Sequence, residues 1–205
     1  MDASTTPIRR IGVMGGTFDP IHLGHLIAAT EALHAFELDR VIFVPTGQPW
    51  QKSNYSDAED RFMMTSLAAA MHPRFAVSRM ELDRKGATYT ADTMRELRRF
   101  HGPEVTLFFI AGADAVAKVG TWRKVEELAE EAEMIAVTRP GYNLDALPND
   151  PSWPKVHLME MPGIDISASD LRARVRAGRP IDFMVPPTVA RYIQEHGLYV
   201  GTDER

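Results

Sequence analysis

The pattern that most restricts the fold is an alternation repeated along the whole chain. Short apolar runs occur at 10–14 (RIGVM), 41–45 (VIFVP), 75–82 (FAVSRMEL), 105–111 (VTLFFIA), 134–138 (MIAVT) and 156–161. Each is short enough for a buried strand and is bounded by turn-forming residues. Between them lie segments with apolar residues at helical spacing: 20–36, 57–71, 90–100, 125–132, 167–177 and 187–194. In the first of these, Leu23, Ile27, Ala28 and Leu33 mark one face, with Asp19 as the expected N-cap and Pro20 as the first helical residue. Strand followed by helix, repeated, predicts an α/β fold: a doubly wound, Rossmann-like parallel sheet with helices on both faces and right-handed crossovers. In such sheets ligands bind beyond the carboxyl ends of the strands, where the strand order switches.

With 205 residues the chain suits one domain, with 1–8 as a loose leader and 165–200 as a closing helical part. It has no cysteine, which excludes disulfides, zinc-thiolate sites and thiol catalysis. No apolar run is long enough to cross a bilayer, and the first residues lack a signal-peptide core, so a cytoplasmic enzyme is expected, with no membrane partner. The formal charge of −5 gives no overall field to attract nucleic acid, and none is expected as a partner. An anionic ligand would need a locally positive site.

The segment GGTFDPIHLGH, residues 15–25, follows a first strand expected to end at Met14. Gly15 and Gly16 let the backbone approach a ligand closely. The helix that follows points unpaired N–H groups and partial positive charge at the same place. His22 and His25, three apart, share one face of its first turn, and Gly24 between them leaves room for a phosphate or a flat ring. Taken singly, Gly-Gly is a turn and a histidine is an ordinary surface or core residue. A metal site would need a third ligand that is not marked nearby. Together, the residues describe a polyphosphate site with two imidazole donors.

This segment resembles the signature of nucleotidyltransferases with a His-x-Gly-His motif, a superfamily that includes class I aminoacyl-tRNA synthetases. Within it the chain is most similar to the bacterial nicotinate-nucleotide adenylyltransferases, from Ile11 to about Tyr199. The resemblance implies ATP-binding roles for Gly15, Gly16, Thr17, Phe18 and Gly24. The stretch ISASDLR (166–172) is similar to the family's Ile-Ser-Ser-Thr-x-Ile-Arg, which binds ATP phosphates. That implies Ile166, Ser167 and Ser169 as ATP-binding residues and Arg172 as catalytic; Ala168 departs from the pattern. On its residues alone this is a helix capped by Ser167 or Ser169. FFIAGADA (108–115) resembles a Gly-x-Asp nucleotide loop, implicating Gly112 and Asp114, and TRPGY (138–142) places Arg139 on the adenine or ribose side. For the mononucleotide, TYTADT (88–93) implies Thr90, GTWRKVEEL (120–128) implies Trp122 as the stacking partner of a pyridine ring, and PWQK (49–52) implies Lys52 at the phosphate. In PWQK, Gln51 stands where the family has His and Trp50 is added.

The implied reaction is adenylyl transfer from ATP to nicotinate mononucleotide, yielding the dinucleotide and pyrophosphate in NAD biosynthesis. A phosphate monoester with its second pKa near ~6 is already a nucleophile at neutral pH, so no general base is required. His22 and His25 are expected on the transferring phosphate and Arg172 on the leaving group, with Mg²⁺ carried by ATP and no protein metal site. The family often forms homo-oligomers. Sibling transferases acting on phosphopantetheine or glycerol phosphate, a catalytically silent nucleotide-binding module and an RNA-charging fragment are the rival readings.

Overall fold

The computed structural model describes residues 8–47, 55–138 and 150–201. Its six strands are β1 (Arg10–Gly16), β2 (Arg40–Pro45), β3 (Phe75–Val77), β4 (Thr106–Gly112), β5 (Glu133–Thr138) and β6 (Val156–Glu160). They form one sheet in the order β3-β2-β1-β4-β5-β6, with every neighbouring pair parallel. The helices are α1 (Leu23–Ala35), α2 (Ala58–Ala69), α3 (Met80–Asp83), α4 (Thr90–His101), α5 (Ala113–Val116), α6 (Val125–Glu131), α7 (Ala168–Arg176) and α8 (Pro187–Glu195), with a 3₁₀ turn at Val119–Thr121.

Strand side chains alternate between the two faces, so the sheet builds two cores. Val41, Phe43, Phe108 and Ile110 face a core completed by α1, α2, α7 and α8. Their chain neighbours Ile42, Val44, Leu107 and Phe109 face the opposite core, completed by α4, α5 and α6. Each such side chain, fully buried, contributes about 1.5–3 kcal/mol of transfer free energy. Continuous apolar runs are what a parallel strand buried on both faces requires. The closing helices join the first core through Leu171, Val189 and Ile193.

β1 pairs with β2 on one side and β4 on the other, so the strand order reverses between β1 and β4. The chain leaves opposite faces of the sheet after these two strands, and their carboxyl ends open a crevice.

The structure corrects several local expectations. β1 does not stop at Met14: the parallel ladder continues through Gly15 opposite Val44 and Gly16 opposite Pro45. The run 75–82 is strand only to Val77. The Ser78 N–H still reaches the Phe43 carbonyl, but β2 ends two residues later at Pro45, and the Ser78 hydroxyl accepts from the Met80 N–H to start α3. Ile8, placed in the leader by sequence, packs against the second core, and residues 1–7 lie outside the described residues. Helix α1 starts at Leu23, with His22 rather than Asp19 as its N-cap. Asp19 is 1% exposed and engaged elsewhere: it accepts from the Tyr199 hydroxyl at 2.6 Å and from the Ser56 N–H at 3.3 Å. Pro20, expected at the first helical position, precedes the N-cap.

Candidate active site between β1 and β4

Two clefts meet at the β1–β4 switch point. The first, about 680 Å³, is lined by Gly15 at the end of β1, by His22, Gly24 and His25 at the start of α1, by Gly112 and Asp114 after β4, and by Ile166 ahead of α7. The second, about 960 Å³, is lined by Thr17, Thr46, Tyr89, Thr90, Lys118, Trp122 and Arg123, among others. Asp114 and Ala115 line both, so the clefts adjoin at the start of α5.

The turn between β1 and α1 is set by burial. Phe18 holds a left-handed φ of 50°, a costly conformation for a bulky residue, and its ring is only 3% exposed. That ring packs edge-on against His25 at 5.1 Å and against Phe43 at 5.8 Å. Phe18 therefore backs the His25 ring from the core, and neither it nor Gly16 lines a cleft.

His22 and His25 stack with centroids 3.7 Å apart. The His22 N–H donates to Nδ1 of His25 at 3.2 Å. A ring nitrogen that accepts carries no proton, so the His25 proton sits on Nε2, and His25 is a neutral donor. Burial lowers the His22 pKa to about 4, and burial together with His22 holds His25 well below the usual histidine value. Nδ1 of His22 is buried and has no hydrogen-bond partner among the described residues. Glycine at 24 suits this packing: a Cβ there would lie 3.1 Å from Cε1 and Nδ1 of His22, so the ring would have to give by a few tenths of an ångström. Gly24 also lines the first cleft. Gly112 behaves differently. A Cβ there would meet no protein atom within 4 Å, so its missing side chain opens the first cleft.

Arg172 lies near the same turn. Its Nη1 donates to the Asp19 carbonyl at 2.6 Å and stands 3.9 Å from the Asp19 carboxylate. Ser167 is the N-cap of α7 and accepts from the Asp170 N–H at 3.2 Å, with the Ser169 hydroxyl 3.1 Å away. Ser167, Ser169 and Arg172 thus flank the first cleft through Ile166 rather than lining it. Thr17, assigned to ATP by resemblance, lines the second cleft beside Thr90 and Trp122. The Trp122 indole is held edge-on to Phe109 at 5.8 Å. Lys52 and Arg139 lie outside the described residues.

Sequence reasoning missed one organising residue. Arg61 of α2 is 1% exposed, and its guanidinium donates to four carbonyls: Ser56 (3.1 Å), Thr17 (3.0 Å), Thr46 (2.7 Å) and Gly47 (2.9 Å). It ties the turn after β1 to the turn after β2. Burial lowers its pKa, and the Asp19 carboxylate opposes that shift. The signal lay in the pattern: Arg61, Met64, Thr65 and Ala68 form the buried stripe of α2, with an arginine where an apolar residue is expected.

The fold and this pair of clefts define a nucleotide-binding α/β protein, and the chain belongs to the cytidylyltransferase-like family, which matches residues 13–174. Its relatives narrow the comparison. It is 52% identical to a probable nicotinate-nucleotide adenylyltransferase of Clavibacter sepedonicus, over 97% of this chain and 98% of that one. It is 54% identical to the protein of that name from Saccharopolyspora erythraea, over 96% and 92% of the two chains. The fold is shared with Plasmodium falciparum nicotinic acid mononucleotide adenylyltransferase complexed with NaAD, at a TM-score of 0.77 and 21% identity, covering 93% of this chain and 97% of that one.

Proposed function

We propose that this chain is a nicotinate-nucleotide adenylyltransferase: it transfers the adenylyl group of ATP to nicotinate mononucleotide, forming nicotinate adenine dinucleotide and pyrophosphate in NAD biosynthesis. The observation that carries this reading is the pair of adjoining clefts, one walled by the histidines and the other by Trp122 and Thr90. The names of the relatives support it over nearly the full chain.

ATP occupies the first cleft, over Gly15, Gly24, Gly112 and Ile166, with Asp114 at its border. The mononucleotide occupies the second, with its pyridine ring against Trp122 and Thr90 beside it. Its phosphate oxygen attacks the α-phosphorus in line, an O–P bond forms, and the bond to the pyrophosphate oxygen breaks. The nucleophile is already ionised near neutral pH, so the protein supplies positioning and charge stabilisation rather than a base. Nε2–H of His25 donates to the oxygens around the α-phosphorus, and His22 supports it from the other side of the stack. As neutral donors in a dry pocket, they stabilise developing charge without first losing hydration. Arg172, fixed through one nitrogen by the Asp19 carbonyl, turns its other N–H groups toward the leaving pyrophosphate, beside the α7 start at Ser167 and Ser169. Phe18 acts through His25, and Lys52 and Arg139 keep their proposed places at the mononucleotide phosphate and the adenosine.

Mg²⁺ enters as MgATP. The described residues contain no group of three or more metal-ligating side chains, and Asp114 is the single carboxylate lining either cleft. A Mg²⁺ carried by ATP would be held by phosphate oxygens and water and would offset charge on the leaving pyrophosphate. No described helix is long and apolar enough to cross a membrane; ATP and the mononucleotide as substrates support the reading of a cytoplasmic reaction.

Pyrophosphate release from ATP, measured with three acceptors in turn, tests the assignment. Release is expected with nicotinate mononucleotide and not with phosphopantetheine or glycerol phosphate. Turnover confined to either of the latter two would replace this reading with that of a sibling transferase.

A further inference from the structure

The turn that follows α8 reaches back to the histidine turn. α8 ends in a glycine cap: Gly197 holds a left-handed φ of 59°, its N–H donates to the Gln194 carbonyl at 3.2 Å, and the Leu198 N–H donates to the Ile193 carbonyl at 3.0 Å. Leu198 and Tyr199 then pack against the first core. Tyr199 is itself left-handed, at a φ of 63°, a conformation that a bulky residue keeps only where its contacts compensate. The contact it gains is the bond from its hydroxyl to Oδ1 of Asp19, at 2.6 Å. The proposed chemistry makes no use of that bond.

Among the described residues the buried Asp19 carboxylate accepts from two neutral donors, the Tyr199 hydroxyl and the Ser56 N–H. Burial, together with Asp19, pushes the Tyr199 phenol well above its usual value, so it stays protonated and donates. Arg172 stands close by, 3.9 Å from Oδ2, yet its Nη1 donates to the Asp19 carbonyl. We propose that Tyr199 is a positioning residue for the transfer: by occupying the Asp19 carboxylate it keeps Arg172 on the neutral carbonyl, with the remaining N–H groups of the arginine left for the pyrophosphate. The inference rests on the adenylyl-transfer reading and deepens it.

The physical reason is a competition for one cation. A buried carboxylate that loses a donor is costly, and a neighbouring cation is its best replacement. A guanidinium meets a carboxylate through two parallel N–H bonds, a stronger arrangement than one bond to a carbonyl. Without the Tyr199 hydroxyl, the Asp19 carboxylate draws Arg172 into such a pair. The pair commits two N–H groups of the arginine and neutralises its charge, and the pyrophosphate leaves with less stabilisation. Tyr199 itself keeps its proton throughout and touches no reacting atom.

The test compares kcat and both KM values of the full chain with those of Tyr199→Phe, Arg172→Gln, these two together, and Tyr199→Phe combined with Asp19→Asn, with thermal unfolding as the check on folding. Tyr199→Phe keeps the ring and is expected to lower kcat at least ~10-fold, with the KM for the mononucleotide unchanged. In the Arg172→Gln background the same change should cost nothing further, because the cation to be drawn away is gone. Adding Asp19→Asn to Tyr199→Phe removes the competing charge and retains the carbonyl, and should return kcat to within ~3-fold of the unaltered chain. Loosened packing at the end of α8 would not be rescued by a change at residue 19. An unchanged kcat in Tyr199→Phe, an equal loss in both backgrounds, or a Tyr199→Phe/Asp19→Asn variant as slow as Arg172→Gln overturns the proposal. The last comparison holds even where Tyr199→Phe alone does not fold. If the unaltered chain releases no pyrophosphate from ATP with nicotinate mononucleotide, the underlying reading itself falls, which is a separate observation.

Discussion

His22 and His25 were visible in the sequence as a pair on one helical turn, but their protonation state was not. It depends on the depth of the cleft, the stacking of the rings and the backbone N–H that occupies Nδ1 of His25, all of which are tertiary facts. The consequence is a definite pH dependence. His22 has a folded pKa of about 4, below the ~6.5 of an unfolded histidine. Between these values the unfolded chain binds a proton that the folded chain refuses. Stability from this residue is therefore complete above pH ~6.5 and lost as pH falls toward 4, by about 3 kcal/mol at the acid end. Denaturant unfolding at pH 7 and pH 4 should show a smaller acid loss in His22→Asn than in the unaltered chain. Equal losses would mean that His22 is solvated in the folded state. Asp19 teaches the complementary lesson: Asp before Pro ahead of an apolar periodic run is a sound N-cap signal, yet Tyr199, 180 positions away, claims its carboxylate.

Among the elements, the four inner strands were legible because parallel strands buried on both faces leave unbroken apolar runs, whereas the edge strands β3 and β6 are only partly buried and left shorter or mixed runs. β3 was overextended because alternation over a few residues fits a strand and a short helix alike. The short α5 and the 3₁₀ turn after it carry too few residues to show a period. What joins the elements at the site is Arg61, whose four bonds run to carbonyls far apart in sequence. Replacing it with methionine leaves those acceptors without a donor and the Asp19 carboxylate with less compensation. We expect Arg61→Met to lower the unfolding free energy by about 3 kcal/mol and Arg61→Lys to lower it by less. Because Thr17 and Thr46 line the second cleft, the KM for the mononucleotide should rise with the loss. A change under ~1 kcal/mol in urea unfolding would show that α2 and β2 hold these turns without it.

For the whole molecule, strand order explains why residues scattered from Gly15 to Arg172 converge. The reversal between β1 and β4 puts the histidine turn and the Gly112–Asp114 turn side by side, and the segment ahead of α7 adds Ile164 and Ile166 to the first cleft from the far end of the chain. The sequence order of strands and helices implied such a crevice. The split into two clefts, and the passage of Thr17 from one to the other, needed the packed structure. In the proposed mechanism catalysis rests on His25 as a neutral donor in the first cleft, with no base to move a proton. The most direct test is the single-turnover rate of pyrophosphate release from His25→Ala with both substrates saturating, alongside its thermal unfolding. The account predicts a rate at least ~10²-fold below that of the unaltered chain, with folding retained. A near-normal rate in a folded His25→Ala variant would contradict it.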